Sequence, residues 1–363
     1  MDVCNEYLPK YRRIKELIKS RIGSGYYKRG QKLKPRLELA REFNTTLATC
    51  SRAIDELLAE KELDSKIGTG TFVADVPAAQ KFQVYAIVRT LNNPFYGKFA
   101  DTLGQVLEQK GFLPSKIISS QYDPEKEAGI VREILNENNT LIVMCGFISP
   151  KTREMVLEQP ERFYLYGNAP ELEGKANLIT ADQEEGAFIS VNHLIEMGHL
   201  HIGIIAGTSQ VNFKINGYRK ALTGAGIKLT REYESEIYPE NDNLPQEELN
   251  AWMNTVIDSY LQCKAVPSAV FCGSDFIAVN FISACQMRGL KVPDDFSVCG
   301  YGGAFDGYTG ACRITTAIPP LKELFMAAAD HFAAGGNKAF LNLKMPPELR
   351  EGNTVKNINE RTK

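Results

Sequence analysis

At 363 residues the chain is long enough for two or three domains with full-sized cores, and its 44% hydrophobic and 24% charged residues are ordinary for a soluble globular protein. No apolar run approaches the roughly 18 residues of a membrane span, and the first residues have neither the basic start nor the apolar core of a signal peptide. Eight scattered cysteines without a Cys-x-x-Cys pair read as buried thiols of a reducing cytoplasm, against disulfides or a metal centre.

The net charge of −2 hides an asymmetry: residues 1–75 hold 15 Lys+Arg against 11 Asp+Glu, a net of +4, leaving −6 for the rest. Over residues 10–41 the balance is 12 basic to 2 acidic, which is either a solvated face or an electrostatic footprint for phosphate. The spacing of Tyr11, Ile14, Ile18 and Ile22 predicts a helix over about Pro9–Ile22, ended by Gly23-Ser24-Gly25. A second amphipathic segment, Leu33–Phe43, puts Leu37, Ala40 and Phe43 on one face. Asn44-Thr45-Thr46 supplies a turn and a helix cap. The helix that follows runs to about Lys61, with Cys50, Ala53, Ile54, Leu57 and Leu58 inward. Lys66–Val73 reads as a glycine-tipped hairpin. Together these predict a winged helix-turn-helix of α+β type, with the second of the paired helices in a DNA major groove and the wing near the backbone.

The Leu8–Tyr11 block, Glu38-Leu39-Ala40, the Ala53–Leu57 register and Gly68-Thr69-Gly70-Thr71-Phe72-Val73 resemble a GntR-type DNA-binding domain over roughly the first 75 residues. The resemblance implies DNA contacts from Thr46, Thr49, Arg52 and the wing glycines. The wider candidate set is Lys34, Arg36, Thr45, Thr46, Thr49, Ser51, Arg52, Lys66, Gly68, Thr69 and Gly70. Leu37, Leu47 and Ser51 stand where that family often carries arginine, so a family operator sequence does not transfer.

Residues 76–82 break the periodicity and read as a linker between a head at 1–75 and a body at 83–363. From Phe82 strands and helices alternate in two successive series, which implies parallel sheets and two α/β lobes with ligands at the carboxyl ends of the strands. The expected lobes are about 83–180 with 308–334, and 181–307 with 335–363. Asn92–Tyr96, His193–His199, Gly217–Leu222, Pro267–Phe271 with Ser274-Asp275, and Val292–Tyr301 resemble the effector domain of LacI-type repressors, a fold similar to periplasmic sugar-binding proteins. A GntR-type head on such a body resembles arabinose-responsive repressors.

That resemblance implies an effector pocket from Asn93, Phe95, Tyr96, Phe147, Lys214, Tyr238, Ser274, Asp275 and Tyr301. Phe95 has a competing reading as the start of a core stripe. The family's usual aspartate is absent at Gly302, with Asp306 as a possible substitute, and Lys214 stands for an arginine that would offer a planar fork. His199 and His201 read as structural, Glu184 and Glu185 as helix-start acids, and Gly207-Thr208-Ser209 lacks a phosphate-loop pattern. The expectation is a cytoplasmic regulator, most simply a repressor and a homodimer, that takes double-stranded operator DNA and a small polar effector, a sugar, with no cofactor or metal. The rival reading is an enzyme with a doubly wound body tethered to DNA by the head. It needs a convergent acid, base or nucleophile site, and no such constellation stands out. A secreted solute-binding protein would have no use for the basic head.

Overall fold

The computed structural model describes residues 9–359 except 24–25, 29, 61, 67, 75–81, 114, 147, 168, 208–212, 238–243, 306–311 and 335–338. In the head, α1 (Lys10–Gly23), α2 (Arg36–Glu42) and α3 (Leu47–Ala59) precede a hairpin of β1 (Leu63–Lys66) and β2 (Gly70–Val73). Ile14, Ile18 and Ile22, one turn apart, give α1 a single apolar edge, which packs with Leu39, Ala40, Ile54 and Leu57 in one core. Thr46 caps α3 by accepting the Thr49 amide at 3.2 Å, as the turn predicted. The hairpin pairs Lys66 with Gly70, and its tip needs left-handed backbone at Gly68 (φ 73°) and Gly70 (φ 127°). The segment before α2 adds an edge, with the Leu33 amide on the Thr71 carbonyl at 2.9 Å.

One residue of the face expected of α2 points outward. Leu37 is 51% exposed, and Leu39 is the buried leucine at 1%. Ala40 is buried and Phe43 packs against the core as expected, so the error is confined to Leu37, whose place on the inward face is taken by Leu39.

The body begins with β3 (Gln83–Val88), α4 (Pro94–Gln109), β4 (Lys116–Ser119), α5 (Pro124–Leu135), β5 (Thr140–Cys145), α6 (Pro150–Glu158), β6 (Phe163–Tyr166) and β7 (Asn177–Ala181). It continues with α7 (Gln183–Glu196), β8 (Ile202–Gly207), α8 (Phe213–Gly224), β9 (Glu234–Ile237), α9 (Gln246–Leu261), β10 (Ala269–Cys272), α10 (Asp275–Met287) and β11 (Ser297–Tyr301). The chain then returns through β12 (Thr315–Ile318), α11 (Leu321–Ala333), β13 (Asn342–Met345) and β14 (Glu348–Arg350).

Two six-stranded sheets result, in the orders β13-β7-β6-β5-β3-β4 and β14-β12-β11-β10-β8-β9. Every pair is parallel except β12 with β14. Strands such as Thr140–Cys145 and Ala269–Cys272 are buried at every position, because helices cover both faces of each sheet. Close helix approach is visible at Gly217 of α8, where an added Cβ would stand 2.1 Å from the Glu184 carbonyl oxygen of α7.

The return segments are distributed differently from the expected lobes. β12 lies in the second sheet beside β11, whereas 308–334 was assigned to the first lobe. α11 does pack in the first lobe, with Leu321, Leu324 and Phe325 in its core. β13 then pairs with β7 in the first sheet and β14 returns to the second, so 335–363 is divided as well.

Candidate functional site

In the head, the expected DNA-facing side chains lie before and at the start of α2, just before and along α3 and at the hairpin tip, and many are engaged with other residues of the head. Arg36 donates to Asp55 Oδ1 at 2.6 Å, and Lys34 to Glu42 Oε2 at 2.8 Å, which with Arg21 holds the Glu42 carboxyl below its ordinary range. Arg52 lies over the Tyr11 ring, 3.9 Å from its centroid, with Nε 3.7 Å from Glu56. The Thr46 and Thr49 hydroxyls are 2.8 Å apart, and the Thr45 hydroxyl is buried with no partner among the described residues. Ser51 is half-buried on α3. Lys66 stands above the Phe72 ring, 5.1 Å from the centroid, beside the exposed wing residues Gly68, Thr69 and Gly70. The basic character of α1 is partly neutralised by α3, since Lys15 reaches both Glu56 and Glu60, at 3.1 and 2.7 Å.

In the body, the carboxyl ends of β3, β6, β10 and β11 bring the candidate effector residues to where the lobes meet. Asn93 caps α4 by accepting the Phe95 amide at 3.0 Å. The Phe95 ring meets Tyr96, Phe99 and Tyr166, and would lie 3.5 Å from a Cβ built on Gly302 of the other lobe. Phe95 therefore combines its two readings, half-buried on the core and facing the opposite lobe. Tyr96 is 92% buried in that core, which favours a packing role over the ring-stacking role expected of it.

Lys98, one turn further along α4, crosses to the second lobe and donates to the Gly303 carbonyl at 2.6 Å. Burial, and then Arg350, lower the Lys98 amine from its ordinary value, with Asp275 acting the other way. Lys214 donates to the Gly273 carbonyl at 2.6 Å and lies over the Tyr301 ring, 4.3 Å from its centroid. Tyr301 presses on Gly186, and its hydroxyl is buried without a partner among the described residues. Burial pushes the Tyr166 phenol well above its usual value, and the nearby Tyr301 adds to the shift.

Ser274 and Asp275 belong to the frame of the second lobe more than to an open pocket. Ser274 caps α10 by accepting the Ile277 amide at 3.2 Å. Asp275 accepts the Thr316 hydroxyl at 2.6 Å and the Ala304 amide at 2.8 Å, tying α10 to β12 and to the turn after β11. Burial raises its carboxyl above the ordinary value, against those two hydrogen bonds and the charges of Arg350 and Lys98. Gly302 has φ 124°, a conformation that an aspartate would adopt only under strain.

Phe147, Tyr238 and Asp306 lie outside the described residues. The sequence reading missed Lys98, Tyr166, Thr316 and Arg350. Tyr166 could have been found as the last residue of a strand facing the lobe junction. His199 is structural as read, with its ring nitrogens 2.8 Å from Ser268 Oγ and 3.0 Å from the Lys356 carbonyl. No described helix is long and apolar enough to cross a membrane.

Residues 10–73 match the model of the gntR family of bacterial regulatory proteins, and residues 191–355 match a periplasmic binding protein-like domain. The chain is 29% identical over 272 residues to the HTH-type transcriptional regulator DegA of Bacillus subtilis, covering 71% of this chain and 76% of that protein. It is 25% identical over 340 residues to the arabinose metabolism transcriptional repressor of Halalkalibacterium halodurans, covering 88% and 87%. Among solved structures, the transcriptional regulator CelR–cellobiose complex shares the fold with a TM-score of 0.63 at 18% identity, over 96% of this chain and all of that one. These relatives are transcriptional regulators by name. The chain thus joins a region matching the gntR family of bacterial regulatory proteins, residues 10–73, to a region matching a periplasmic binding protein-like domain, residues 191–355.

Proposed function

We propose that the chain is a ligand-responsive transcriptional repressor, working as a homodimer in the cytoplasm, whose operator affinity is set by a small polar effector bound between the two lobes. The observation that carries this reading is the direct contact from one lobe to the other. Lys98 of α4 donates to the Gly303 carbonyl beside Phe95, Tyr166 and Tyr301, at the carboxyl ends of the strands where open α/β sheets take ligands. An effector entering there competes with that bridge and offers a partner to the buried Tyr301 hydroxyl. It thereby favours one relative setting of the lobes over another.

A sugar fits the aromatic and polar surroundings, and names among the relatives point the same way: an arabinose repressor and a regulator solved with cellobiose. In a dimer the two α3 helices must meet successive major grooves about 34–36 Å apart or a multiple of that, so a change of lobe setting is read out as operator affinity. A coupling of about 1–3 kcal/mol alters affinity roughly 5- to 150-fold. The test begins with thermal-shift screening of the full chain against sugars and sugar acids. Hits then enter gel shifts on the DNA upstream of the gene. The expected result is a compound that raises the melting temperature and changes operator affinity. Equal affinity with and without every stabilising compound would remove the switch.

A further inference from the structure

The start of α3 is unusual for a surface that is to read DNA bases, because its exposed part is apolar. Leu47, the first residue of the helix, is 47% exposed, and Ala48 beside it is exposed as well. The polar groups around them are committed inside the head. The Thr46 hydroxyl holds the Thr49 amide and hydroxyl, Arg52 lies on the Tyr11 ring near Glu56, and Arg36 is paired with Asp55. Leu47 is not the cap, which is Thr46, and it is not needed by the core, which is filled by Cys50, Ala53, Ile54 and Leu57. In the major groove the N-terminal residues of a recognition helix meet the base edges. The one apolar feature offered there is the 5-methyl group of thymine.

We infer that Leu47, with Ala48 beside it, is a specificity-determining residue that packs on thymine 5-methyl groups, so the operator is read at this point by methyl contact and not by hydrogen bonds to guanine. The inference rests on the head binding duplex DNA as proposed above. It adds which bases the head selects and through which atoms. Burying one methyl against leucine is worth roughly a 3- to 5-fold change in affinity at each contacted thymine.

The experiment starts from a random duplex library, from which the full-length protein enriches its preferred site. Each thymine of that site is then replaced by deoxyuridine, which removes the methyl and leaves every hydrogen-bonding group in place. The expected result is a roughly 3- to 5-fold loss at one or two positions per half-site and none elsewhere. Leu47→Ala should bind thymine and uracil duplexes equally at those positions, with an unchanged thermal melt because the side chain lies outside the core. Leu47→Arg, carried through the same enrichment, should exchange the thymine for guanine. If uracil is neutral at every position, or if Leu47→Ala retains the discrimination, the methyl contact is wrong while DNA binding stands. If no duplex enriches at low ionic strength, the DNA-binding reading fails and this inference fails with it.

Discussion

Asp275 separates a framework role from a ligand-binding one, and its removal has a calculable cost. The carboxylate is 99% buried and accepts two hydrogen bonds, from the Thr316 hydroxyl at 2.6 Å and the Ala304 amide at 2.8 Å. Asp275→Ala leaves both donors buried and unpaired, at about 1–3 kcal/mol each. Loss of a carboxylate from the first turn of α10 adds about 0.3–1 kcal/mol. Against this stands the relief of a buried charge that the fold already holds reluctantly, since burial raises its pKa. The net expectation is about 2–4 kcal/mol of lost stability. Asp275→Asn keeps an acceptor for Thr316 but turns an amide toward the Ala304 N–H, and should cost about 1–3 kcal/mol. The assay is urea unfolding followed by Trp252, the single tryptophan of the sequence, which packs against the same core as Ile277 and Phe281 of α10. A loss under about 0.5 kcal/mol for Asp275→Ala, the usual size of a surface substitution, would refute the framework role. With a simultaneous loss of effector binding, it would return Asp275 to the pocket.

Arg36→Ala should weaken operator binding for every sequence alike and lower the salt slope by roughly one, if Arg36 exchanges Asp55 for a phosphate on binding. Salt titration of a gel shift checks it, and an unchanged slope would leave Arg36 as an internal tie. Gly217→Ala should destabilise the second lobe by about 1–3 kcal/mol, because the new methyl meets the Glu184 carbonyl of α7. The same tryptophan-monitored unfolding reads it. Burial lowers the His199 imidazole from 6.5, so the unfolded chain takes up its proton more readily than the folded one. That preference stabilises the fold fully above pH 6.5 and is lost as pH falls through that value toward the folded one. The stability gap between the parent protein and His199→Gln should therefore narrow from pH 7 to pH 5, and a gap that stays constant would mean that His199 has no depressed pKa.

Local signals carried most of the reading, and failures came where contacts are long-range. α5 runs from Pro124 to Leu135 because Asp123 caps it and its apolar stripe has a helical period, both of them local features. Thr46 showed itself as a cap by chemistry alone. Leu37 misled because a two-turn helix has too few apolar residues to fix which stripe faces inward. α11 and β14 fell in the lobes expected of them, but β12 and β13 were assigned to the wrong ones, because a strand's own residues do not say which of two sheets it joins. In the site, Ser274 and Asp275 looked like pocket residues because an acid after a strand suits a ligand and a helix start equally well. The Ala304 amide and the Thr316 hydroxyl, the latter 41 residues further on, decide in favour of the frame. Lys98 had no signal at all, since its partner is the carbonyl of Gly303.

The same return segments bear on how far the lobes can move. Among the described residues the chain passes between lobes at Asp182, at Pro319-Pro320 between β12 and α11, and at Pro346-Pro347 between β13 and β14. Proline locks φ near −65°, so four residues of the two later crossings contribute little to a hinge. Asp182 is tied three ways: it caps α7 through the Glu185 amide at 3.1 Å, pairs with Lys344 at 2.7 Å and donates its own amide to the Met345 carbonyl at 2.7 Å. A joint built like this allows small rotations between a few packed settings, as a two-state regulator needs, and resists continuous flexing. Pro319→Ala with Pro346→Ala should cost only about 0.4–1 kcal/mol per site, through the entropy of the unfolded chain. It should nevertheless speed amide exchange in β12, β13 and β14 and leave the core amides of α1 and α3 unchanged. If exchange in the three return strands does not rise, the prolines are not what stiffens the joint, and the ties at Asp182 must hold it alone.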